Sequence, residues 1–156
     1  MKVESLMSRP VWTCQPDDSL AVPARIMWEQ DLGAVPVVAG DGGVVGVITD
    51  RDICMAGFTR DTPLSAMRVG DHMSKDVFTI PSGADVRQAE ELMAEKQVHR
   101  LPVVGDGGKI LGMISLNDVA RAVTEPGRKG NDAVAVASTL SRLSRPRRAQ
   151  SIQVRA

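Results

Sequence analysis

The chain has 156 residues with 19 acidic and 19 basic side chains, enough for one compact domain or two very small ones. Aromatics are only 3%, with no Tyr, which argues against a module that stacks nucleobases on rings, and two cysteines make neither a disulfide framework nor a four-ligand zinc site. No apolar run nears the roughly 20 residues of a membrane span, and the start MKVESLMSRP lacks a signal-peptide core, so a cytoplasmic protein with reduced thiols is expected.

The neutral total hides an asymmetry. Residues 1–125 carry 12 basic and 18 acidic groups, and residues 126–156 carry 7 and 1. An acidic body and a basic tail are therefore expected, with a seam at Pro126, Gly127 and Gly130.

In chain order, Val11–Cys14 reads as a short strand ended by Pro16. Ser19 is placed to cap a helix running to about Asp31, with Leu20, Ala24, Met27 and Trp28 near one face. Val35–Val38 and Val44–Ile48 read as a hairpin turning at Gly40–Gly43. Thr49 opens a second helix, with Gly57 as its stop. Residues 58–68 link to a second unit of the same order. There Val77–Ile80 is a strand ended by Pro81, and Asp85 with Gln88 forms a capping box for a helix to about Gln97. Val103–Val104, the turn at Asp106–Gly108 and Ile110–Ile114 form a hairpin, and Ser115 opens a helix to about Val123. In the tail, Asp132 is placed to cap a helix with Ala133, Val136, Ala137, Leu140 and Leu143 on one side, ended by Pro146.

The two units are copies. Shifting the chain by 66 lays residues 3–53 on 69–119 without a gap, and 14 of the 51 pairs are identical. Copies of this size bury too little alone, so they should pack about a pseudo-twofold axis. The reading is an α+β sandwich of two βαββα repeats, 1–57 and 69–123, joined by 58–68 and followed by a basic tail, 124–156, with a short helix.

Both copies end a strand in Ile-Thr/Ser-x-x-Asp. Thr49 with Asp52, and Ser115 with Asp118, set a hydroxyl and a carboxylate on a first helical turn, beside unpaired N–H groups and the positive end of the dipole. Such a turn can bind phosphate, and a carboxylate accepting from two ribose hydroxyls is a natural sugar contact. The same pattern is also a capping box that needs no ligand; the two roles are compatible. Arg100 has Ala34 as its counterpart, and Arg51 has Asn117, so the two sites should differ. A guanidinium suits phosphate, although an ion pair of Arg100 with Glu91 or Glu95 is the plainer use. His99 suits phosphate or a helix end. Cys14 and Cys54 read as small buried residues. No nucleophile–base pair, metal cluster or P-loop stands out.

Taken in order, Gly33-Ala34-Val35-Pro36-Val37-Val38 with Gly46-Val47-Ile48-Thr49-Asp50-Arg51-Asp52-Ile53, and His99-Arg100-Leu101-Pro102-Val103-Val104 with Gly112-Met113-Ile114-Ser115-Leu116-Asn117-Asp118-Val119, resemble a tandem pair of cystathionine β-synthase (CBS) domains, a Bateman module. The resemblance covers residues 3–123. It implies that each Asp binds ribose, each hydroxyl helps hold phosphate, and the base lies near the first strand and the Pro-Val-Val strand. Thr13, Thr49, Arg51 and Asp52 are named in one repeat, and Thr79, Pro81, Arg100, Ser115 and Asp118 in the other. It implies a non-catalytic sensor for AMP, ADP, ATP or S-adenosylmethionine, with no cofactor or metal, working as a homodimer on an unknown effector. An alternative assigns function to the tail, through a protein partner or nucleic acid.

Overall fold

The computed structural model describes residues 1–124 and 131–144. Two short sheets with flanking helices form an α+β pair of units. In the first, α1 (Ala21–Gln30) precedes the antiparallel hairpin β1 (Ala34–Val38) and β2 (Val44–Thr49), and α2 (Asp50–Arg60) follows. In the second, β3 (Ile80–Pro81) and α4 (Val86–Lys96) precede β4 (Arg100–Val104) and β5 (Ile110–Ser115), with α5 (Leu116–Thr124) after them. Between the units lies the one-turn helix α3 (Val69–His72), and α6 (Asn131–Leu143) ends the described chain.

Both hairpins have the same register. Ala34 opposes Thr49 and Arg100 opposes Ser115, with an irregularity at Val37/Val38 and at Val103/Val104. The strand expected at Val11–Cys14 shrinks to one bridge, in which Cys14 donates to Pro36 O and accepts from Val38 N. Pro36 has no N–H, so this edge of β1 offers few bonds. Its copy keeps only Ile80–Pro81, parallel to Val103–Val104, and Pro81 belongs to the strand rather than ending it.

Helix ends explain three further differences. Ser19 makes no side-chain cap, because the cap position falls on Leu20. Gly57 does not stop α2; an interior glycine costs only about 1 kcal/mol, and the helix runs on to Arg60. Asp31, Asp61 and Gln97 take the left-handed positions at three helix ends, with φ of 52°, 45° and 52°. The Asp85–Gln88 capping box is present as expected. In α6, Asp132 lies inside the helix, and Val136, Thr139 and Leu143 are buried while Leu140 is not. The seam at 126–130 and the stretch from Arg145 lie outside the described residues.

The core is two aliphatic clusters, and each borrows from the other half of the chain. Val3 and Met7 pack under β4 and β5, whereas Met67 and Val69 pack under β1 and β2. The backbone bonds match under the 66-residue shift. Val3 donates to Ala84 O as Val69 donates to Asp18 O, and Ser8 pairs with Met113 as Ser74 pairs with Val47. Gly43 bridges Lys109, its own equivalent, so the pseudo-twofold axis passes there. The crossing arms explain two of the shared glycines. A Cβ at Gly46 would collide with Met73 Sδ, and one at Gly112 would lie 2.9 Å from Ser8 O.

The segment read as a linker therefore carries core residues, Met67 above all. Cys14 is buried, and burial, with Asp18 nearby, pushes its thiol up to about 12. Cys54 is exposed, contrary to expectation. A thiol raised that far stays protonated and unreactive at pH 8. In a Cys54→Ser variant, a thiol-reactive disulfide dye should therefore find no thiol in the native protein and a single one after denaturation; reaction of the native variant would contradict the packing.

Candidate functional site

The sites grow from the junction of a strand and a helix. β2 ends at Thr49, whose backbone stays extended while α2 begins, so its hydroxyl faces the first turn. Asp52 Oδ2 accepts from the Thr49 N–H at 2.9 Å and from its hydroxyl at 2.6 Å, and the hydroxyl accepts from Asp52 N at 3.2 Å. Ser115 and Asp118 repeat this arrangement, at 2.8, 2.6 and 3.3 Å. Both motifs are thus capping boxes, and in both one carboxylate oxygen is fully used.

The second oxygen separates the copies. Asp118 Oδ1 accepts from the Arg121 guanidinium, and this carboxylate is only 9% exposed. Arg121 corresponds to Met55 in the first repeat. Asp52 Oδ1 has no hydrogen-bond donor among the described residues. On its flank opens a hollow of about 290 Å³ lined by Asp52, Met55, Thr59, Arg60, Asp71 and His72. The Asp118–Arg121 lock was missed from sequence, although an Asp–Arg pair at i, i+3 was there to be read.

Arg100 opens β4, yet its guanidinium belongs with the first repeat. It lies against Gly33, where a Cβ would sit 2.8 Å from Nη2. Gly33 precedes β1 and its carbonyl accepts from Asp50 N at 3.3 Å, at the start of α2. The guanidinium makes no hydrogen bond or ion pair among the described residues, so pairing with Glu91 or Glu95 is not what occurs; Glu95 pairs with Lys96. Arg51 is exposed on the first turn of α2, and among the described residues only its backbone N–H is engaged, by Asp50.

Thr13 is half-buried alongside β1, one residue before the Cys14–Val37 bridge, toward the end of the strand that meets Thr49. Thr79 holds the same place along β4, whereas Pro81 lies on the other side of the Ile80–Val103 pair, opposite Val104. Neither threonine hydroxyl is engaged among the described residues. His99 is exposed, and its carbonyl accepts from Leu116 N. Among the described residues, no three metal-ligating side chains converge, and no helix is long and apolar enough to cross a membrane.

The CBS-domain family model matches residues 3–58 and 69–125. The chain belongs to the CBS-domain family. Its two units are CBS repeats, and the fold is that of a CBS pair. A 17.7 kDa protein of Acidianus ambivalens is 32% identical over 124 residues, covering 80% of this chain and 74% of that one. Inosine-5'-monophosphate dehydrogenase of Korarchaeum cryptofilum is 30% identical over 125 residues, but this chain spans only 25% of that enzyme's length. Among solved structures, CBSX2 in complex with AMP superposes with a TM-score of 0.68 at 25% identity, covering 78% of this chain and 95% of that one. A CBS domain pair in complex with 5-methylthioadenosine and S-adenosyl-L-methionine superposes with a TM-score of 0.71 at 24% identity, over 78% and 94%, a likeness of fold.

Proposed function

We propose that this CBS pair is a non-catalytic regulatory module that binds one adenine nucleotide, AMP, ADP or ATP, at the start of α2. The observation that carries this reading is the pairing of an open Asp52 oxygen with an unengaged Arg100 guanidinium beside Gly33. The Asp52 carboxylate accepts from the ribose hydroxyls and the Arg100 fork holds phosphate. Asp50 and Asp52 already complement the dipole of α2, so the phosphate is held by the arginines, Arg100 with Arg51 near it, rather than on the helix axis. Thr13 and the β1 edge supply the base slot. AMP in the related CBSX2 supports the ligand class, and the narrow match to the dehydrogenase, confined to a quarter of that enzyme, supports regulation rather than a reaction.

The second site, with Asp118 locked, serves as structure. Two copies of the chain assemble, and the ligand acts by favouring the arrangement it binds better. The runner-up ligand is S-adenosylmethionine, whose sulfonium needs no arginine.

Titration calorimetry with AMP, ATP and S-adenosylmethionine tests the reading. One site per chain is expected for AMP or ATP. Arg100→Gln should weaken that binding about tenfold or more, since a charge-assisted hydrogen bond contributes about 1.5–3 kcal/mol. S-adenosylmethionine binding that ignores Arg100 favours the runner-up, and no heat with any of the three sinks both.

A further inference from the structure

The second repeat contains a group that the first lacks. The Arg121 guanidinium donates to Asp118 Oδ1, one turn along α5. The equivalent residue on α2 is Met55, and the same flank of Asp52 is an open hollow of about 290 Å³. The walls differ in charge as well. Asp71 and His72 line the hollow, where the second repeat has Ser5 and Leu6 at the equivalent positions. Two carboxylates, Asp52 and Asp71, therefore border a space with a single guanidinium, Arg60, on its wall. The first repeat keeps the acceptor of an arginine, adds a second, and carries no arginine at position 55.

Arginines stand in the chain just beyond α6. Residues 145–156 include Arg145, Arg147, Arg148 and Arg155 and no acidic residue, whereas residues 1–125 are acidic in sum. α6 starts that segment from the end of the molecule that carries Arg100. Its last turn stands beside the end of α4, where the Glu95 carboxyl is held below the usual range first by Lys96 and further by Arg142. β4 follows α4 closely, and its first residue, Arg100, reaches Gly33 beside the start of α2. A stretch as long as 145–156 extends up to roughly 40 Å, comparable with the breadth of a compact domain of this size. A tethered guanidinium also acts at an effective concentration on the order of millimolar, so a pair that is weak between free molecules can form within one chain.

We propose that an arginine of segment 145–156 enters this hollow and donates to Asp52 Oδ1 as Arg121 donates to Asp118, closing the first site until nucleotide displaces it. The inference rests on the nucleotide reading for its consequence and adds a regulator of the same site.

Calorimetry with AMP on the full chain tests it. Replacing Arg145, Arg147, Arg148 and Arg155 together by Gln should tighten AMP binding roughly five- to tenfold, because the open fraction rises. Met55→Arg, at an exposed position, builds the second repeat's lock into the first. Circular dichroism should stay unchanged, AMP affinity should fall about tenfold or more, and the tail substitutions should then add nothing. A fluorescent peptide of residues 145–156 should bind the tail-substituted chain and lose that binding on Asp52→Asn. Tail substitutions that leave AMP affinity unchanged, or a peptide indifferent to Asp52→Asn, overturn the tail contact and leave the nucleotide reading standing. No AMP heat in any variant, with the peptide still bound through Asp52, overturns the nucleotide reading and upholds the contact.

Discussion

Met7→Ala destabilises the second CBS repeat and spares the first, although Met7 stands at the start of the chain. Its side chain belongs to the cluster under β4 and β5. A buried Met→Ala change costs about 2–5 kcal/mol, a large part of the roughly 5–15 kcal/mol that holds a domain folded. Deleting residues 1–8 should cost at least as much, since it also removes the fully buried Val3 and the Ser8–Met113 pairing. Hydrogen exchange locates the damage. Amides of β4, β5 and α4 should lose protection before those of β1 and β2. If protection falls evenly, or first around α1, the crossing of the arms is wrong.

Asp52→Asn and Asp118→Asn should have opposite signatures despite equivalent positions. Asparagine keeps one oxygen for the bonds from Thr49, so the cap of α2 survives. What it loses is the charge, and with it about 1.5–3 kcal/mol for each ribose hydroxyl bound. Nucleotide affinity should fall roughly 30-fold or more, with little change in melting temperature. Asp118→Asn weakens the ion pair to Arg121 on a nearly covered carboxylate, so stability should fall while affinity holds. Arg121→Met installs the residue that the first repeat carries at this place and frees the second Asp118 oxygen, but Ala34 and Asn117 stand where the first site has Arg100 and Arg51, so calorimetry should still count one site per chain. Equal loss of affinity in both Asp variants contradicts a single open site.

Much of this was legible beforehand, for physical reasons that can be named. A shift that aligns 51 residues without a gap demands equivalent surroundings for equivalent positions, and the matched registers of the two hairpins meet that demand. The Asp85–Gln88 box was legible because capping is local. The helix ends were not. Asp61 rather than Gly57 takes the left-handed position, after an exposed last turn over residues 57–60 that local spacing does not mark as helix. Trp28 is the more instructive miss. Periodicity placed it on an apolar stripe with Met27, and its copy Ala94 is indeed buried. A stripe says which side of a helix wants cover, not whether cover is present. Arg100 was singled out for its charge, but pairing across the axis to Gly33 is a long-range fact that local spacing does not carry.

The crossing arms also set the order in which the molecule can be finished. Residues that complete the first unit, Met67 to Ser74, leave the ribosome soon after α2, so that unit can close early. The second unit needs Val3 and Met7, made before the first unit, to be held without a home until β4 and β5 exist; the Val3–Ala84 bond alone spans about eighty residues of chain. Such distant contacts slow folding and leave apolar surface uncovered in the meantime. Vectorial synthesis therefore favours early closure of the first unit, while the second waits on residues made before either hairpin.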